Sequence, residues 1–131
     1  MIFIDSSAFV SLVVEKDSFH IRAIQWWEYN KGKELVTSNF VVAETLGWIR
    51  HRVGKIQAVT LGTFLFSTKG LMIEQVSLFD QQDAWKLFQE TDGRGISMID
   101  CMSFVLMKRF KIKEVFTFDQ DFHTIGFKVL P

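Results

Sequence analysis

Cysteine is nearly missing from this chain. Cys101 stands alone among 131 residues, so no intrachain disulfide can form and a cysteine-based zinc cluster has no ligands. Proline occurs once, as Pro131, so nothing breaks a helix from within and no Pro-rich linker divides the chain. No apolar run reaches the ~20 residues that would span a bilayer. The opening residues lack both the basic stretch and the small-residue cleavage site of a signal peptide. A cytoplasmic protein with no membrane association is expected. Net charge is absent too, with 15 basic residues against 15 acidic. Nucleic-acid binders usually carry a basic excess, so composition alone gives such a partner no support. The balance is also what a chain with a cluster of cation-binding carboxylates would have, because bound ions cancel charge that a residue count includes.

What the chain does have is apolar bulk: 48% hydrophobic residues and 14 Phe, enough for a dense core in one domain spanning 1–131. Repeats and low-complexity tracts are absent. Short apolar runs alternate with longer helix-like stretches, the rhythm of a three-layer α/β domain around a parallel sheet. Strands are predicted at 2–4, 35–37, 71–76, 114–118 and 127–130. Helices are predicted at 6–14, from Phe19 to about Lys31, from Ser38 or Asn39 to about Val53, from Lys55 to about Thr68, at 77–91 with Leu78, Ala84, Leu87 and Phe88 facing inward, and from Ser97 to about Phe110.

Four acids stand where such a sheet keeps its binding crevice, beyond the carboxyl ends of the strands. Asp5 ends the run Ile2-Phe3-Ile4. Glu44 falls within two turns of the start at Ser38, flanked by Phe40, Val41 and Trp48. Asp100 opens a helix in which only Ser97, Asp100 and Ser103 are polar from 96 to 107. Asp119 follows Val115-Phe116-Thr117-Phe118, with Asp121 two residues on. Each has a purely structural explanation. Asp5 can cap the next helix, Glu44 can be an exposed helical residue, Ser97-x-x-Asp100 has the form of a capping box, and Asp119 can close an Asx-turn. Together they converge on one edge, where unscreened carboxylates would raise one another's pKa. Hard divalent cations relieve that repulsion, and an all-oxygen donor set suits Mg²⁺ or Mn²⁺ rather than zinc. One or two ions are expected, with Asp5 the central ligand and capping left to Ser6 or Ser7.

Four stretches carry a resemblance to the PIN-domain family, and within it to the VapC-type toxins of toxin–antitoxin pairs. They are Ile4-Asp5-Ser6-Ser7, Thr37-Ser38 through Val42-Ala43-Glu44, Ser97-Met98-Ile99-Asp100-Cys101, and Thr117-Phe118-Asp119-x-x-Phe122 with Gly126-Phe127 following. The resemblance runs from end to end, in the family's order and spacing. It implies an αβα fold around a parallel sheet. It also implies Mg²⁺- or Mn²⁺-dependent cleavage of RNA phosphodiesters, a homodimer, and a VapB-like antitoxin as protein partner. Asp5, Glu44, Asp100 and Asp119 carry over as catalytic metal ligands, with Asp121 a further candidate and Ser6 and Thr117 as supporting hydrogen-bond donors. No histidine sits among the four motifs to act as general base, so water activated by the cation is the simplest nucleophile.

Two basic clusters, Arg50-His51-Arg52 with Lys55 and Lys108-Arg109 with Lys111 and Lys113, fall at helix C-termini, where cations complement the helix dipole. Lys108 lies about 12 Å along its helix from Asp100, too far to serve that crevice. Arg94, in the Gly-flanked loop 92–95 leading into Ser97, is the expected phosphate contact. Trp26 and Trp27 are available for dimer or antitoxin contacts, although core packing explains either equally simply. A receiver-type phosphorylation domain would need paired acids after the first strand, and a haloacid-dehalogenase-like phosphatase a second Asp at position 7, where this chain has Ser7. The reading that competes with a nuclease is a non-catalytic PIN-fold module that binds RNA or protein without cutting.

Overall fold

The computed structural model describes residues 1–131. Five short strands, β1 (Ile2–Ile4), β2 (Leu35–Ser38), β3 (Leu71–Glu74), β4 (Glu114–Phe116) and β5 (Lys128–Leu130), form one sheet in the order β3-β2-β1-β4-β5. Every pairing is parallel. Parallel strands need long crossovers, and these hold the helices α1 (Ser6–Val13), α2 (His20–Asn30), α3 (Asn39–Arg52), α4 (Lys55–Ser67), α5 (Leu78–Glu90), α6 (Met98–Arg109) and α7 (Asp121–Thr124). The chain moves outward from β1 through β2 to β3, then returns to β4 on the other side. Right-handed crossovers therefore place α1–α4 on one face and α5–α6 on the opposite one. That burial on both faces explains why β1 has no polar alternation: Ile2, Phe3 and Ile4 are all buried.

The sheet changes direction between β1 and β4, and it is there that open α/β sheets part to leave a crevice. The neighbouring core makes this point rigid. Trp26 stacks on Phe116, with centroids 3.9 Å apart, and Phe104 packs edge-on against Phe122 at 4.9 Å.

Most predicted elements are found within a residue or two of their expected limits. The exceptions have local causes. β4 was expected to reach Phe118 but stops at Phe116, because the Phe118 amide donates to Ser7 Oγ and the Asp119 amide to Thr117 Oγ1 instead of to a neighbouring strand. α7 was not anticipated. In α5 only Ala84 and Asp80 are fully buried; Leu78 is 74% exposed and Phe88 39%. The expected inward face is thus half right: Ala84 and Leu87 pack inward, whereas α5 turns Leu78 and Phe88 outward, together with Phe79 and Trp85.

Candidate active site

Asp5 is delivered by β1 and held on all sides but one. Its Oδ2 accepts from the Ser7 amide at 3.3 Å, from Ser7 Oγ at 2.9 Å and from Thr117 Oγ1 at 2.9 Å. The two hydroxyls lie 2.9 Å apart, and each also accepts a backbone N–H, from Phe118 and Asp119 respectively. Asp5 is thereby the N-cap of α1, and the expectation that capping falls to Ser6 or Ser7 is corrected. One oxygen can do this without occupying the other. Asp5 Oδ1 is buried and has no hydrogen-bond partner at all. A buried, unpartnered carboxylate oxygen is costly in an otherwise satisfied fold. It is the kind of atom a hard cation completes.

The other acids surround this oxygen electrostatically. Glu44, half-buried on α3, has its pKa raised by burial; the Ser6 hydroxyl opposes the shift and the Asp5 charge adds to it. Asp100, in the first turn of α6, is pushed up to about 6, chiefly by burial. The Ser97 amide pulls it down, and the charges of Asp5 and Asp119 push it further up. Its capping box is real: the Ser97 amide donates to Asp100 Oδ2 at 2.8 Å and the Asp100 amide to Ser97 Oγ at 3.0 Å. Asp119 is raised by burial, lowered by the Asp121 amide that it accepts at 2.9 Å, and raised again by Asp121 and Asp5. Four carboxylates from four parts of the chain thus meet, three of them carrying pKa values raised partly by charge on another. No three side chains are arranged as a finished ion cage.

Asp121 belongs to the turn that carries Asp119. A Cβ added to Gly95 would lie 3.4 Å from Asp121 Oδ2, so the loop bearing Arg94 runs against that turn. Arg94 itself is exposed and takes part in none of the three ion pairs. Thr117 lies beneath Asp5, whereas Ser6 stands beside Glu44. Ser7, expected only as a possible helix cap, instead donates to Asp5 and accepts from Phe118. Nothing in the sequence announces its contact with Thr117, which spans 110 positions. Trp26 is buried; Trp27 lies partly exposed, edge-on to Phe64.

Residues 2–128 match the PIN domain family, and the chain belongs to it. Within that family it is similar to the 23S rRNA-specific endonuclease VapC20 of Mycobacterium tuberculosis. The two are 32% identical over 127 residues, covering 97% of this chain and 95% of that protein. The crystal structure of VapC20, a Sarcin-Ricin loop cleaving toxin, superposes with a TM-score of 0.90 at 29% identity, over 97% of this chain and 96% of that one. FitAcB from Neisseria gonorrhoeae shares the fold alone, with a TM-score of 0.67 at 15% identity over 100% and 97% of the two chains.

Proposed function

We propose that this chain, as a single PIN domain over 1–131, is a Mg²⁺- or Mn²⁺-dependent endoribonuclease and the toxin of a VapBC-type pair. The observation that carries the proposal is Asp5 Oδ1, buried and without a donor among three further carboxylates. Similarity to an rRNA endonuclease supports the substrate class. Ribosomal RNA is accordingly the first substrate to test.

The residues fit the group they would hold. Asp5, Glu44, Asp100 and Asp119 offer only oxygen, with Asp121 adjacent, and oxygen donors suit Mg²⁺ and Mn²⁺. When bound, a divalent cation makes water a better nucleophile and stabilises negative charge developing at the scissile phosphate. The chain's own contribution is positional. Ser7 and Thr117 fix the Asp5 carboxylate through Oδ2 and leave Oδ1 without a donor, and the Ser97 amide aims Asp100 by holding Oδ2. Arg94, on its loop beside Asp121, is assigned to substrate phosphate. Partner assignments follow the same reading. A groove of about 380 Å³ among α1, α2 and α4, lined by Leu12, Ile24, Trp27, Ile56 and Phe64, supports a VapB-like antitoxin as ligand. Exposed Leu78, Phe79 and Trp85 on α5 support a homodimer. A cytoplasmic site of action belongs to the same reading, through the similarity to an rRNA endonuclease.

The test is cleavage of purified ribosomal RNA with Mg²⁺ or Mn²⁺, comparing wild type, Asp100→Asn and wild type in excess EDTA. Cutting by the first alone is expected. Undiminished cutting in EDTA, or equal activity in Asp100→Asn, would sink the assignment. Absence of cutting under every condition would favour the non-catalytic binding module.

A further inference from the structure

Beside the acids runs a groove of about 370 Å³ whose walls carry aromatic rings that the chemistry above leaves unused. On one wall, Glu44, Trp48 and Arg52 recur every four residues along α3, so they rise from the acidic site as a stripe with steps of about 6 Å. Trp48 is 40% exposed and stacks on no other aromatic residue; its ring is 5.9 Å from the Arg52 guanidinium. On the other wall Phe19 and Phe118 lie face to face, with centroids 4.5 Å apart and planes 7° apart, and the Arg22 guanidinium sits within 6.0 Å of both. Phe118 immediately precedes Asp119, so this wall also begins at the acids.

The exposed rings are held in place. Asp17 Oδ1 accepts from the Phe19 amide at 2.8 Å and from Ser11 Oγ at 3.0 Å, pinning the loop before α2 to α1. His20 Nδ1 donates to the Ser11 carbonyl at 2.7 Å, a second tie at the same corner. A ring kept 38% exposed by this much local bonding is not loose core.

Resting on the nuclease reading, we infer that this groove is a subsite for an unpaired nucleotide flanking the scissile phosphate, with Trp48 and the Phe19–Phe118 pair as stacking surfaces and Arg22 and Arg52 as phosphate contacts. Aromatic faces interleaved with cations suit single-stranded nucleic acid, whose bases stack on rings and whose backbone takes the charges. A duplex buries its bases and cannot use the rings. The subsite also explains how a chain with no net positive charge holds RNA: two local arginines and the cations at the acids supply the complement.

The experiment titrates an end-labelled, mixed-sequence, single-stranded RNA 12-mer with wild type, Trp48→Ala, Trp48→Phe and Tyr29→Ala by fluorescence anisotropy. It is run in Ca²⁺, which screens the acids without the octahedral geometry of Mg²⁺. Trp48→Ala should weaken binding about 5- to 150-fold, the range of about 1–3 kcal/mol for one stacked base. Trp48→Phe should stay within about 3-fold of wild type, since a smaller ring still stacks. Tyr29→Ala, at an 85% exposed ring on α2, should be indifferent, and the same 12-mer annealed to its complement should bind more weakly to wild type. If wild type binds and cuts RNA but Trp48→Ala binds as tightly, the subsite is overturned while the nuclease reading stands, and the groove belongs to a protein ligand. If wild type neither binds nor cuts RNA, both fall.

Discussion

The same four-residue motif starts two neighbouring helices. Ser77-x-x-Asp80 opens α5 and Ser97-x-x-Asp100 opens α6, each forming a complete capping box with matching hydrogen bonds. Their acids nevertheless behave oppositely. Burial pushes Asp80 up, but the Ser77 amide and hydroxyl and the Arg109 guanidinium, 2.9 Å away, outweigh it and hold Asp80 below the ordinary carboxylate range. Asp100 gets the same help from Ser97, but burial outweighs it, and the charges of Asp5 and Asp119 add to the rise where Asp80 meets a cation, so that it reaches about 6. Local geometry is shared; burial and the tertiary partner decide the charge. One box ends in a satisfied ion pair, the other in a demand for positive charge.

Activity should separate the two boxes most widely. Asp100→Asn is expected to lower RNA cleavage by roughly 100-fold or more, the scale on which removing one group that stabilises transition-state charge acts. Asp80→Asn should cut as wild type does, once folding is matched. Initial rates on ribosomal RNA check both, and comparable losses would erase the distinction.

Stability should separate them in sign. Between its ordinary value of 3.8 and about 6, folded Asp100 holds a proton that the unfolded chain releases. Its contribution is therefore fully present at low pH and lost as pH rises through about 6. Asp100→Asn keeps the capping acceptor and removes that loss. It should raise the melting temperature by roughly 3–6 °C at pH 7.5 without divalent ions, with the gain shrinking as pH falls below about 6 and gone near the ordinary value of 3.8. Asp80, held low, contributes stability above the ordinary Asp range that is lost as pH falls through its lowered value. Arg109→Ala should lower the melting temperature at neutral pH by roughly 3–8 °C, a loss of about 1–2 kcal/mol moderated because the arginine is half-exposed. Thermal unfolding across pH reads both, and shifts of the same sign would contradict the account.

The smallest effect should be no difference at all. Ser77→Ala and Ser97→Ala each lose one cap, about 1 kcal/mol, and should cost the same within error. Unequal costs would mean that the caps themselves, and not the partners, distinguish the boxes.

This pair also marks what could be read in the residues. Ser97-x-x-Asp100 drew attention because the surrounding helix is almost wholly apolar, and a lone acid there needs a reason. Nothing comparable marks Ser77-x-x-Asp80, which opens a segment whose expected inward face included Leu78, although that residue is exposed. Asp80's partner, Arg109, lies 29 positions on. Strand order, too, is not legible in the sequence. The alternation of apolar runs and helices spoke for a parallel sheet, since that pattern is local. Ser7's reach to Thr117 and the unpartnered state of Asp5 Oδ1 are products of the closed fold, and no spacing announces them.

The most direct measurement is calorimetric titration of the metal-free protein with Mn²⁺, repeated from pH 5 to 8 in buffers of different ionisation enthalpy. If the acids form a cation site, Mn²⁺ should bind saturably at one or two ions per chain. It should displace protons most strongly toward pH 5, about half a proton per chain near pH 6, where Asp100 is half-protonated, and hardly any by pH 8. Asp100→Asn should weaken binding and abolish the proton release. Absence of saturable binding, or binding with no proton release anywhere in the range and unchanged in Asp100→Asn, would contradict the account.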